Sequence, residues 1–95
     1  MTATHGFAIG TPVHREAWAA VLAQPDRDWN VHALAERLPG RSRKGLRTAL
    51  HLLMAERAVV PVKGHVVLTV RMARDGTAIV ADLLAAWDDA HGRRT

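Results

Sequence analysis

The chain contains no cysteine and no tyrosine, and its aromatic residues are three tryptophans and one phenylalanine. Without cysteine, disulfides, thiolate metal sites and thiol nucleophiles are excluded. So few aromatics argue against a single-strand nucleic-acid binder, which stacks successive bases on aromatic platforms. No apolar run approaches the ~18 residues of a membrane span. Residues 1–12, MTATHGFAIGTP, lack a cationic start followed by an apolar run, so no secretory signal is expected and the expected address is the cytoplasm. No internal repeat or low-complexity tract is visible.

What is present is a globular composition, 48% apolar and 23% charged over 95 residues, enough for one small domain. The net charge is 13 − 9 = +4, and eleven of the thirteen cations are arginine. Arginine is suited to bidentate contacts with phosphate and guanine. Placement therefore matters more than the total.

Periodicity predicts a mainly α chain with a small β-hairpin. Residues 1–12 are expected to be an arm, and Pro12 opens a helix over 13–23, with Ala17, Trp18, Val21 and Leu22 at helical spacing and Pro25 as its stop. Asn30 caps a second helix whose inward face is Val31, Leu34, Ala35 and Leu38, halted by Pro39-Gly40. Ser42 caps a third helix reaching Arg57, with Leu46, Ala49, Leu50, Leu53 and Met54 on its apolar stripe. Val59–Val62 and Val66–Val70 are β-branched runs around Lys63-Gly64-His65, which predicts a hairpin with a basic tip. Asp75 or Thr77 caps a last helix over 75–91, striped by Ile79, Val80, Leu83, Leu84 and Trp87. Residues 92–95 are expected to be a tail.

Three helices followed by a two-stranded hairpin resemble a winged helix-turn-helix domain. The resemblance is carried by Leu34-Ala35-Glu36-Arg37-Leu38, by Ser42 through Leu50, and by Met54 through Val60. These are similar to the pattern of bacterial GntR-type and MarR-type regulators. The resemblance spans about residues 13–90. It implies a winged helix-turn-helix unit over 13–74 plus a C-terminal helix over 75–91. It further implies sequence-specific binding of double-stranded DNA by a transcription regulator, with 42–57 as the recognition helix and 59–70 as the wing. Three features depart from the pattern: the turn Pro39-Gly40-Arg41 is one residue longer than usual, Gly45 sits inside the third helix, and Ala58 stands where a glycine usually ends that helix. The arm Gly6-Phe7-x-Ile9 and Trp29 before Leu34-Ala35 also resemble winged-helix domains of phage and plasmid replication proteins, the alternative role.

The charges lie where that reading needs them. Arg37, Arg41, Arg43, Lys44 and Arg47 put five cations in eleven residues with no acid among them after Glu36. Arg43, Lys44, Arg47, Thr48 and His51 share one face of the third helix. In a helix-turn-helix such a face enters the major groove, and Ser42 at the helix start can hold a phosphate. The candidate DNA-binding residues are therefore Arg41, Ser42, Arg43, Lys44, Arg47, Thr48 and His51, joined by Lys63 and His65 at the hairpin tip. The last helix carries Asp82, Asp88 and Asp89, so the two ends of the domain differ in sign.

No enzyme is expected. Ser42 has no evident base, no glycine-rich phosphate loop occurs, and the adjacent Asp88 and Asp89 point about 100° apart on a helix. No metal or other cofactor is expected either, because His5, His14, His32, His51, His65 and His91 include no pair four residues apart on a helix. The stripe Ile79, Val80, Leu83, Leu84 and Trp87 is either core or a homodimer surface, and regulators of the kind resembled commonly dimerise, so a homodimer is expected. A winged helix that binds protein instead of DNA is the competing class.

Overall fold

A computed structural model of the chain describes residues 11–91. The element order is α1 (Pro12–Ala23), α2 (Val31–Arg37), α3 (Arg43–Ala55), β1 (Val59–Pro61), β2 (Val70–Met72) and α4 (Gly76–His91). Most of the arm expected over 1–12 and the whole tail over 92–95 lie outside the described residues. Among the described residues no helix is long and apolar enough to cross a membrane.

Local chemistry sets the helix ends. Pro12 occupies the first turn of α1, where its missing N–H costs nothing. The Asn30 side chain accepts from Ala33 N at 2.9 Å and caps α2; Ser42 Oγ accepts from Gly45 N at 3.0 Å and caps α3. Helix α3 ends at Ala55, two residues before the expected Arg57. There Arg57 N–H donates to Met54 O and Ala58 N–H to Leu53 O, both at 2.9 Å, closing the orphan carbonyls of the last turn. The left-handed residue this closure needs is Arg57 itself, at φ 65°, so no glycine is used.

The hairpin differs from expectation in its second strand, which is Val70–Met72 rather than Val66–Val70. The register pairs Val59 with Met72, Val60 with Arg71 and Pro61 with Val70. Val62 N–H donates to Thr69 O at 2.8 Å and Ala73 N–H to Ala58 O at 2.9 Å. Pro61 thus falls at a non-hydrogen-bonded position, where its missing donor is not needed. Val70 turns its own N–H and C=O to the opposite side and exchanges both with Trp29, at 2.8 Å each. This one-residue bridge makes β2 central, and the β-branched Val66 and Val67 are left exposed in the loop that follows β1.

One core joins all the helices. Trp18, Val21, Trp29, Leu34, Leu46, Leu50, Leu53 and Val70 have no exposed surface. The two buried indoles are satisfied, Trp18 Nε1 donating to Ala49 O at 3.0 Å and Trp29 Nε1 to Gln24 O at 3.2 Å. Helix α4 packs along α1. Val80 and Leu83 are fully buried, Leu84 is 9% exposed, and Ile79 and Trp87 pack half-buried against the same core. Of the stripe weighed as core or dimer surface, Val80, Leu83 and Leu84 are core. Their burial, at about 1.5–3 kcal/mol per large apolar side chain, stabilises the single chain. Arg15 fastens the far end of α4 by a bidentate pair with Asp88 at 2.9 and 3.0 Å, its guanidinium 6.0 Å from the Trp87 ring centroid.

Helix α4 begins where the chain is closely packed against β1 and β2. A Cβ on buried Gly76 would overlap the Ala58 carbonyl oxygen and come within 2.8 Å of Met72 Cγ. Gly76→Ala is expected to lower stability by about 1–3 kcal/mol, read as a fall in the denaturant midpoint; an unchanged midpoint would show that the α4 start can shift freely. His14 gives a second prediction. It is 8% exposed, and burial pushes its imidazole below the usual histidine range. The unfolded chain takes up this proton near pH ~6.5 and the folded chain only lower. Stability is then complete above pH ~6.5 and is lost as pH falls toward the folded value. Thermal melts from neutral to mildly acidic pH should show a steeper loss for the wild type than for His14→Gln, and parallel losses would refute the assignment.

Candidate nucleic-acid interface

Helix α3 divides cleanly into two faces. Leu46, Ala49, Leu50 and Leu53 are buried, whereas Ser42, Arg43, Lys44, Arg47, Thr48 and His51 are exposed. Gly45 lies between them with Val13 Cγ1 3.3 Å from where its Cβ would stand, so the glycine admits the start of α1 against α3.

The five cations between Arg37 and Arg47 are not equivalent. Arg37 donates to the Gln24 side chain, and Arg41 makes a two-pronged ion pair with Glu16 of α1. Arg41 is therefore drawn toward α1 and partly neutralised, unlike the other cations assigned to the interface. An open depression of about 440 Å³ beside it is lined by Glu16, Arg37 and Arg41, whose charged groups are already engaged with protein. Among the described residues, Arg43, Lys44 and Arg47 have no carboxylate in ion-pair range. These three carry the uncompensated charge of the face. Thr48 spends its hydroxyl hydrogen on Lys44 O at 2.9 Å, which leaves the oxygen as an acceptor.

Arg43 and Arg47, one turn apart, border a pocket of about 150 Å³ together with Val31 and His32 of α2 and Val67 and Leu68 of the hairpin loop. Arg43 Nη1 lies 3.1 Å from His32 Nδ1. A guanidinium has donors only, so a hydrogen bond across this contact takes Nδ1 as its acceptor and leaves the ring proton on Nε2. Lys44 and His51 are exposed on α3 but do not line this pocket.

At the hairpin, Lys63 is exposed and has no described partner. His65 is exposed too, yet it sits close enough to Asp28 to matter electrostatically. The Asp28 carboxyl is held below the usual range first by its hydrogen bond from Arg71, at 2.8 and 3.3 Å, then by the charges of Arg71 and His65. The carboxylate thereby offsets part of the positive charge at this end of the hairpin. His32, Val67 and Leu68 were not distinguishable as site residues from spacing, because they meet Arg43 and Arg47 only through the packing of α2 and the loop.

No protein-family model, curated protein or solved structure matches the chain.

The Arg43–His32 bond can be checked directly. Nitrogen-15 spectra of His32 above neutral pH should show the Nε2–H tautomer in the wild type, and Arg43→Gln should redistribute it; the same tautomer balance in both would mean that the two side chains do not meet in solution.

Proposed function

We propose that the chain is a winged helix-turn-helix protein that binds double-stranded DNA as a small transcription regulator, with α3 as the recognition helix and the β1–β2 hairpin as the wing. The carrying observation is the exposed face of α3, where Arg43, Lys44 and Arg47 stand without acidic partners on a helix whose other face is core. The element order supports the reading, as does the short bridge by which Trp29 joins the hairpin. In this arrangement the first turns of α3 enter the major groove, Lys63 reaches a neighbouring phosphate, and Thr48 and His51 lie along the groove. The protein acts by binding, without catalysis. The homodimer that the resemblance implies belongs to the same proposal, with Ile79 and Trp87 as the stripe residues of α4 that the chain's own core leaves half-buried.

A protein-binding module is the second reading, favoured by the exposed hairpin valines Val60, Val66 and Val67, at 47%, 105% and 42%. Salt separates the two. Contact with roughly six to eight phosphates predicts a slope of log affinity against log salt of about −5 to −7 on duplex DNA. Fluorescence anisotropy over a salt series measures it. Glu16→Gln should release Arg41 and steepen the slope by about one if that guanidinium then reaches a phosphate. A slope near zero, or no binding to duplex at low salt, sinks the DNA reading.

A further inference from the structure

The pocket between α2, α3 and the hairpin loop has two unlike walls. One is cationic, with Arg43 and Arg47 on successive turns of α3, and Arg43 steadied by His32 at 3.1 Å. The other is apolar, formed by Val31, Val67 and Leu68. Val67 is 42% exposed, so its methyls are open to a ligand in the pocket. Guanidinium forks match the oxygens of a phosphate group. An apolar wall beside them matches the carbon face of a pentose. At about 150 Å³ the pocket is smaller than the ~300 Å³ at which drug-sized ligand sites begin. It therefore suits one unit of a polymer better than a free effector.

We infer that this pocket seats one sugar–phosphate unit, its phosphate on Arg43 and Arg47 and its pentose carbons against Val67 and Leu68. In DNA, where the inference rests on the proposed function, the unit is one backbone residue clamped between the recognition helix and the wing. Arg43 and Arg47 then position the protein on the duplex, and base reading falls to Lys44, Thr48 and His51 on the neighbouring stripe. His32, accepting at Nδ1, keeps the Arg43 guanidinium at the pocket and has its Nε2–H left as a donor.

The test has two arms, both on the full chain and followed by NMR. In the first, 2-deoxyribose 5-phosphate is added and compared with inorganic phosphate. The Nε–H signals of Arg43 and Arg47 and the methyl signals of Val67 and Leu68 are expected to move together. The sugar phosphate should bind roughly tenfold tighter than inorganic phosphate, the worth of about 1.4 kcal/mol of added apolar contact. The methyl response to either anion should vanish in Arg43→Gln/Arg47→Gln, whose substituted residues are exposed. Unmoved methyls, or equal affinity for the two anions, overturn the inference. In the second arm a mixed-sequence duplex should move the same signals, and the double variant should flatten the salt slope by about two on all sequences alike. Duplex binding with those signals still, or loss confined to one base position, also overturns it. No duplex binding beside a positive first arm refutes the DNA reading and leaves the pocket a site for free sugar phosphates.

Discussion

The two hydrogen bonds between Trp29 and Val70 hold the parts of this fold in register. Trp29 lies between α1 and α2, and its backbone gives β2 a partner on the side that β1 does not occupy. Its indole, fully buried, donates to the Gln24 carbonyl at the end of α1, while the Arg27 guanidinium covers the ring at 4.6 Å. One residue thus ties the end of α1, the start of α2 and the central strand. Emptying such a site costs about 3–5 kcal/mol, against total stabilities of ~5–15 kcal/mol for a domain. Because Asn30 caps α2 immediately afterwards, the same tie sets His32 against α3 and carries the hairpin loop over both helices. The pocket at Arg43 and Arg47 is a consequence of that register.

Charge is then sorted by which helix returns past which. Glu16 on α1 meets Arg41 and Gln24 meets Arg37, so two of the five clustered cations are engaged from behind. Exposed ion pairs of this kind contribute only about 0–1 kcal/mol. Their larger effect is on what remains: Arg43, Lys44 and Arg47 face solvent together. Arg43 and Arg47, four residues apart, repel by a few tenths of a kcal/mol, roughly what an acid at either position would return as attraction. Local stability would favour an acid there, and the helix carries none on that face.

Legibility in the sequence followed the range of the forces. Asn30 and Ser42 cap by bonding an N–H three residues on, and Pro12, Pro25 and Pro39-Gly40 act on their own turns, so helix starts and stops could be read directly. The buried stripe of α3 was readable for the same reason. Strand register was not. The valines at 66 and 67 have high strand propensity, but the partner that selects β2 is Trp29, forty-one residues before Val70 in the chain. The end of α3 was missed because an arginine, not a glycine, takes the left-handed position. At the site, the exposed α3 residues were visible from spacing alone. The capture of Arg41 by Glu16 and the approach of His32 and the loop were not, being tertiary contacts between segments with no shared pattern.

Dissolved salt acts with opposite signs on the two electrostatic halves of this molecule. It weakens the pairs Glu16–Arg41, Asp28–Arg71 and Arg15–Asp88, all of which are partly exposed. It also relieves the mutual repulsion of Arg43, Lys44 and Arg47. Each of these contributions is below about 1 kcal/mol, and they oppose one another, so fold stability is nearly indifferent to ionic strength. Binding of a polyanion to the α3 face has no such cancellation, because every contact there has the same sign and each displaced counterion adds to the slope. A salt range that leaves the melting curve in place and abolishes binding is therefore the signature of a face kept uncompensated for a phosphate backbone, rather than of a surface charged merely for solubility.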